Sequence, residues 1–214
     1  MCQENGIFGA SSSVSLILEK FFNSAILYIV CFSDHRHRLT DILYERKYTM
    51  NKNFDLIMRM MDYDSKNARR IQHFLKVYEF ATLIGEGEGI SERLMYILQT
   101  AAIMCDIGAR PSWEKYGDDT GAHQEELGPA PAKEILDEMG YEEAVTDRVC
   151  YLISRQNTYS DIDGMDLQIL IEADFLVNMQ EKGLDPAACR SIYERIFRTT
   201  TGKRICRKMY DVRD

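Results

Sequence analysis

From about residue 53 onwards, apolar residues recur at helical spacing, and this periodicity most limits what the chain can fold into. Within residues 64–84, for example, Ile71, Phe74, Leu75 and Tyr78 would share one face of a helix. Asp64 and Ser65 are good N-caps for that helix, and Gly85 is expected to end it. We find neither the alternation typical of strands nor an internal repeat. The sequence therefore predicts an all-α bundle of about six to eight helices.

Length, charge and cysteine content narrow the class of protein further. The 214 residues suit one domain with a short appendage, and a net charge of −8 argues against binding of duplex nucleic acid. The six cysteines are scattered and none forms a Cys-x-x-Cys pair. A chain of this size needs no disulfides, so we expect free thiols in the reducing cytoplasm.

Residues 1–49 differ from the rest and are treated as an N-terminal extension of uncertain status, with residues 50–214 as the helical domain. The longest apolar run, Ala25–Phe32, has eight residues, whereas a membrane span needs about 20. We therefore expect no membrane segment. The alternatives are a start codon assigned upstream of Met50, a disordered or peripheral helix, and a membrane tether through residues 14–32.

Three polar side chains are predicted to face the interior from three different helices. His73 and Asp174 lie in register with apolar faces, and Asp106 ends an apolar helix just before Gly108. A single such residue is usually a hydrogen-bonded core group or a solvated helix end. Aspartate, however, is almost never buried unless it is paired or bound to metal. Taken together, the three residues predict a divalent-cation site, suited to Mn, Fe, Co, Ni or Zn.

The order of these residues resembles the HD-domain superfamily of metal-dependent phosphohydrolases. Arg-Arg-Ile-Gln-His (69–73) is similar to the helix that carries the family's first histidine, and Ala-Ala-Ile-Met-Cys-Asp-Ile-Gly (101–108) to its His-Asp motif. Ile-Glu-Ala-Asp-Phe-Leu-Val-Asn (171–178) is similar to the helix with its last aspartate. Gln-Glu (124–125) and Gly-Pro (128–129) resemble a bacterial subgroup of small HD proteins. The resemblance implies an HD-domain-like helical bundle.

The resemblance also implies a chemistry. In that family the first histidine, the His-Asp pair and the last aspartate hold a metal ion, which binds a phosphate oxygen and activates water. Carried over, His73, Cys105, Asp106 and Asp174 would hold a divalent cation (Mn, Co, Ni, Fe or Zn), and Asp106 would also be catalytic. Such an ion lowers the pKa of its water towards about 7. The expected ligand is a small phosphorylated molecule or a nucleotide.

Two departures from the family pattern leave two functions open. Cys105 stands where the family has the histidine of its His-Asp pair, and it would be either a soft metal ligand or a small buried apolar residue. At 154–159 the sequence Ser-Arg-Gln-Asn-Thr-Tyr replaces the subgroup's consecutive histidines. The first hypothesis is a phosphohydrolase with a weakened or altered metal site, whose metal could be lost. The alternative is a catalytically inactive HD-like ligand-binding or interaction module.

Further candidates lie beside the motifs. Arg70 could clamp a phosphate, with a solvated helix face as the alternative, and Arg155 could hold an anion by charge-assisted hydrogen bonds. Residues 109–128 are predicted to form a long polar loop, in which Lys115 and His123 are candidate substrate contacts and Glu114 a candidate general base. Homo-oligomerisation is left open.

Overall fold

The computed structural model describes residues 52–212, and it confirms the all-α prediction for them: this range contains ten helices and no strand. The expectations for residues 1–49 lie outside the described residues. The helices are α1 (52–63), α2 (Ala68–Glu88), α3 (Glu92–Ile103), α4 (Ala109–Tyr116), α5 (Gly121–Leu127), α6 (Pro129–Glu138), α7 (Glu143–Ile153), α8 (Met165–Glu181), α9 (Pro186–Ile196) and α10 (Thr200–Tyr210). Between residues 52 and 212, no helix is long and apolar enough to cross a membrane.

The helix count exceeds the six to eight predicted because residues 109–128 are not a continuous loop. They form the short helices α4 and α5, separated by a turn at Gly117, whose φ of 76° is left-handed. Neither helix has a strongly apolar face, so periodicity alone did not indicate them. The N-terminal turn of α4 is stabilised by Ser112, whose hydroxyl donates a hydrogen bond of 2.7 Å to the Gly108 carbonyl.

Helix α2 begins later and ends later than predicted. Its N-cap is Asn67, which accepts a hydrogen bond from the Arg70 amide at 3.1 Å, rather than Asp64 or Ser65. The helix continues through Gly85 and ends at Gly89, which has a left-handed φ of 66°. Gly85 packs closely on α3, since a Cβ there would lie 2.8 Å from the terminal methyl group of Met95, which would have to move aside.

The core surrounds α8, which is buried on most of its circumference. Helix α2 packs against both α3 and α8, and α3 also packs against α7 and α8. Residues that were predicted to face inwards from α8, among them Leu167, Leu170 and Ile171, are fully buried. This packing brings α2, the end of α3 and the second half of α8 to one place.

A buried glutamate joins α8 to the last two helices. Glu172 is fully buried, and its carboxylate accepts hydrogen bonds from the Gln168 side chain at 2.7 Å and from the Arg198 amide at 2.6 Å. It also accepts from the Thr199 amide at 2.9 Å and the Thr199 hydroxyl at 2.5 Å. Thr199 is the N-cap of α10, so this carboxylate anchors the link between α9 and α10.

Candidate metal centre

The three residues that the sequence singled out converge in space. His73 projects from α2, Asp174 from α8, and Asp106 from the turn after α3. His73 Nε2 lies 3.2 Å from Asp174 Oδ1 and 3.8 Å from Asp106 Oδ2. An imidazole and two carboxylates from three elements therefore point at a common volume.

Cys105 belongs to the same cluster. One ligand atom each from Cys105, His73 and Asp106 lie within 4.8 Å of one another. The cysteine is 1% exposed, and burial, with Asp106 nearby, raises the pKa of its thiol to about 12. Without a metal the thiol is therefore neutral at physiological pH, and it would act as a ligand only by giving up its proton.

A carboxylate on the far side of the imidazole fixes the orientation of His73. His73 Nδ1 lies 3.1 Å from Glu181 Oε2, and the other Glu181 oxygen lies 2.5 Å from Lys76 Nζ. Glu181 has no proton to donate when ionised, so Nδ1 is the donor and Nε2 faces the two aspartates. Metal-binding histidines usually donate their second ring N–H to a carboxylate in this way.

The protonation of His73 follows from its surroundings. Burial alone would lower the pKa of the imidazole, but hydrogen bonds to Asp174 and Cys105 and the charge of Asp106 outweigh it and raise the pKa to about 12. In the metal-free protein the ring is therefore an imidazolium between carboxylates. Its Nε2 proton occupies the direction in which a metal ion would bind.

Both aspartates remain partly open to solvent. The side chains of Asp106 and Asp174 are 27% and 21% exposed. Burial raises the pKa of Asp106, while the His73 imidazolium lowers it and the Asp174 charge raises it again. Asn178, one turn along α8, donates a hydrogen bond of 2.7 Å to Asp174 Oδ2 and leaves Oδ1 directed at His73.

The turn that carries Cys105 and Asp106 is held from two sides. Gln156 Nε2 donates a hydrogen bond to the Cys105 carbonyl. Gly108 allows the backbone of α5 to come close, since a Cβ at this position would lie 2.4 Å from the Gln124 carbonyl oxygen. The glycine of the 101–108 motif is thus required by packing.

These groups open into a polar cleft of about 600 Å³. Its lining comprises Asn67, Arg69, Arg70, His73, Asp106, Asp119, Gly121, Gln124, Gln156, Asn157, Asp174, Asn178, Glu181 and Lys182. Arg70 is anchored there because its guanidinium lies 3.0 Å from the carboxylate of Asp64, whose side chain is 1% exposed. Arg70, the predicted phosphate contact, therefore borders the same cleft as His73, Asp106 and Asp174.

Four other predicted residues lie outside the lining of this cleft. Two of them form surface ion pairs: Glu114 with Arg110 at 3.0 Å, and Lys115 with Glu126 at 2.9 Å. His123 Nδ1 lies 2.7 Å from the Asp118 carboxylate. Arg155 donates a hydrogen bond of 3.4 Å to the Ser160 carbonyl. His123 also stacks on Tyr116, with ring centroids 3.9 Å apart. Their partners are neighbouring surface groups, and their predicted roles in substrate binding or proton transfer stay predictions.

Sequence reasoning missed the residues that support the cluster. Glu181 and Asn178 follow Asp174 by seven and four positions, so helical spacing places all three on one face of α8. Lys76 follows His73 by three positions on α2. These helical spacings could have been used to predict that the three residues lie beside Asp174 or His73. Gln156 had no comparable signal, because its contact with Cys105 spans 51 positions of the chain.

The comparisons with known proteins agree with the helical architecture. No protein-family model and no curated protein matches the chain. Among solved structures, the chain is similar to a predicted hydrolase of the HD superfamily from an uncultured Thermotogales bacterium, with a TM-score of 0.52 and 22% identity. The match covers 75% of this chain and 84% of that one. At this identity the likeness shows the fold, which is the HD-type helical fold.

Proposed function

We propose that this protein is a metal-dependent phosphohydrolase of the HD type, with an altered metal site, acting on a small phosphate ester or nucleotide. The observation that carries the proposal is the convergence of His73 Nε2, Asp106 and Asp174 at one cleft from three separate elements. The fold it shares with a predicted HD hydrolase supports the same reaction class.

The donor set fits a divalent transition-metal ion. It combines an imidazole nitrogen, oriented by Glu181, with the carboxylates of Asp106 and Asp174. Cys105, which has a ligand atom within 4.8 Å of those of His73 and Asp106, is the fourth proposed ligand. Imidazole, carboxylate and thiolate donors suit Zn, Fe, Co, Ni and Mn better than Mg. When bound, such an ion supplies a Lewis acid and a water of lowered pKa.

The chain's own residues would position the substrate. Arg70, held by Asp64, offers a fixed guanidinium for bidentate hydrogen bonds to phosphate oxygens. Asp106 is partly exposed to the cleft and accepts hydrogen bonds, so it can orient a water molecule beside the phosphorus. A cleft of about 600 Å³ is large enough for a nucleotide.

Metal content and turnover test the proposal together. Full-length protein would be assayed with Mn, Co, Ni and Zn against nucleoside mono-, di- and triphosphates and cyclic dinucleotides. Asp106→Ala should lower both metal occupancy and turnover, whereas Asp119→Ala should retain the metal, because Asp119 lines the same cleft but lies outside the ligand cluster. Wild-type turnover no higher than that of Asp106→Ala would refute the proposal.

A second candidate function is a non-catalytic ligand-binding or interaction module. The observation that favours it is the buried Cys105 thiol, whose raised pKa keeps it neutral and suits a packed apolar residue. Elemental analysis of the wild type beside Cys105→His separates the two candidates. If the substitution raises metal occupancy and turnover, the site is a modified hydrolase centre. If neither changes, the fold has a use other than hydrolysis.

A further inference from the structure

The outer side of the last helix is strongly basic. Residues 186–210 contain seven lysines and arginines and one carboxylate, a net charge of +6 within a chain whose net charge is −8. On α10, four cations stand at positions i, i+1, i+4 and i+5 and therefore share one side of the helix. This side, which we call the basic face, consists of Lys203, Arg204, Arg207 and Lys208. The buried residues of α10 lie on its other side.

Three cations of the basic face have no counter-ion within residues 52–212. No carboxylate in this range pairs with Lys203, Arg204 or Lys208. Exposed cations elsewhere do pair, as Lys115 does with Glu126 at 2.9 Å. Arg204 and Lys208 stand four positions apart, and like charges at this spacing destabilise a helix. An anionic surface that covers the basic face would relieve this repulsion.

A surface of opposite charge lies on another part of the same domain. Residues of α6 and α7 line a groove of about 570 Å³, which we call the acidic groove. Its carboxylates are those of Glu134, Asp137 and Asp147, and Pro129 adds an apolar wall. Asp137 pairs with Lys133 at 2.8 Å, whereas Glu134 and Asp147 form no ion pair in the part of the chain that the structure describes. The acidic groove therefore offers two carboxylates to a cationic partner.

We propose that the basic face of one copy docks on the acidic groove of a second copy, so that the protein associates head to tail. Helix α10 packs on α2, α8 and α9, whereas α7 packs on α3 and α6, so the two surfaces lie on different parts of the domain. Lys203 and Lys208 are about 7.5 Å apart along α10, a distance that a groove between two helices can match. Lysine and arginine also carry apolar stems, which suit the Pro129 wall. This inference is independent of the proposed hydrolase activity.

Two charge-reversed variants test the inference. Arg204→Glu with Lys208→Glu is the basic-face variant. Glu134→Lys with Asp147→Lys is the groove variant, and all four side chains are exposed, so neither variant disturbs the core. Full-length proteins would be compared by sedimentation velocity at up to about 1 mM in about 0.1 M salt, where charges interact over about 10 Å. We expect the wild type to self-associate, about 1 M salt to dissociate it, and each variant alone to associate about tenfold more weakly.

A mixture of the two variants is the decisive measurement. One retains the acidic groove and the other the basic face, so an equimolar mixture should regain association as a one-to-one complex. Asp62→Lys with Glu79→Lys is the matched control, because it changes the net charge as the groove variant does, at exposed positions outside both surfaces, and it should associate like the wild type. A monomeric wild type, a mixture that stays monomeric, or a control that loses association would overturn the inference. A wild type that stays monomeric but binds anionic vesicles or RNA would also overturn it and assign the basic face to that partner.

Discussion

Glu181→Gln tests whether the carboxylate behind His73 supports metal binding. Glu181 lies 3.1 Å from His73 Nδ1, and its side chain is 13% exposed, so this charge-assisted hydrogen bond is largely shielded from solvent. Hydrogen bonds to charged groups contribute about 1.5–3 kcal/mol. In glutamine an NH₂ group replaces one of the two carboxylate oxygens, so either His73 or Lys76 would face a donor instead of an acceptor. With 1.4 kcal/mol for each factor of ten, we expect metal affinity to fall about 10- to 100-fold.

The affinity would be measured by competition between full-length protein and a chromophoric chelator for Co²⁺. Glu138→Gln is the matched control, because its side chain is 56% exposed and pairs with Arg59 at 3.4 Å on the surface. Lys76→Met should cost only a few-fold, since Lys76 is 40% exposed and its ion pair is screened. A folded Glu181→Gln protein that binds Co²⁺ within about twofold of wild type would refute the role we assign to this carboxylate.

Three shorter predictions address the ligands and the scaffold. Cys105→Ser should abolish a near-ultraviolet sulfur-to-cobalt charge-transfer band in the Co²⁺ protein and weaken Zn²⁺ more than Mn²⁺; a wild type that binds Co²⁺ without the band would exclude the thiolate as a ligand. His73, with its pKa raised to about 12, is protonated at neutral pH, so a metal ion must displace its proton. The apparent metal affinity should therefore rise with pH, about tenfold per pH unit for each proton displaced. Calorimetry in two buffers that detects no proton release on metal binding would contradict this. Glu172→Gln should lower the free energy of unfolding by about 1–3 kcal/mol in urea, because one of the carboxylate's donors then meets an N–H group, whereas the exposed Glu134→Gln should leave it unchanged.

Helical periodicity was sufficient to predict that His73, Asp106 and Asp174 lie close together. His73 and Asp174 each interrupt an apolar face, and a polar residue on a face that packs inwards must lie near the core. Asp106 ends an apolar helix, which placed it at the edge of the same core. The resemblance to the HD family added the order of these motifs, and the structure places the side chains within 3.8 Å of His73 Nε2.

Contacts between elements distant in the chain were not predictable from these patterns. Gly85 is a residue type that often ends a helix, but it lies inside α2 close to Met95, and the helix ends only at Gly89. In the sequence Glu172 is a single polar residue within an apolar helix. The backbone amides that bind its carboxylate belong to residues 198 and 199, which only the tertiary fold brings close to α8. Gln156 lies in the segment that lacks the subgroup's histidines, and its hydrogen bond to the Cys105 carbonyl forms only because the turn after α7 packs against the turn after α3.

The two departures from the pattern that the chain resembles meet at one point. Cys105 stands in place of the motif histidine, Gln156 lies in the segment that lacks the later histidines, and the Gln156 side chain binds the Cys105 backbone. Residues in contact do not contribute independently, so the two positions should be coupled in a double-mutant cycle. Cys105→His and Gln156→His, measured singly and together for Zn²⁺ affinity, should deviate from additivity by about 0.5–3 kcal/mol. Strict additivity would mean that Cys105 and Gln156 affect metal binding independently, and the two departures from the family pattern could not then be explained as one coupled change.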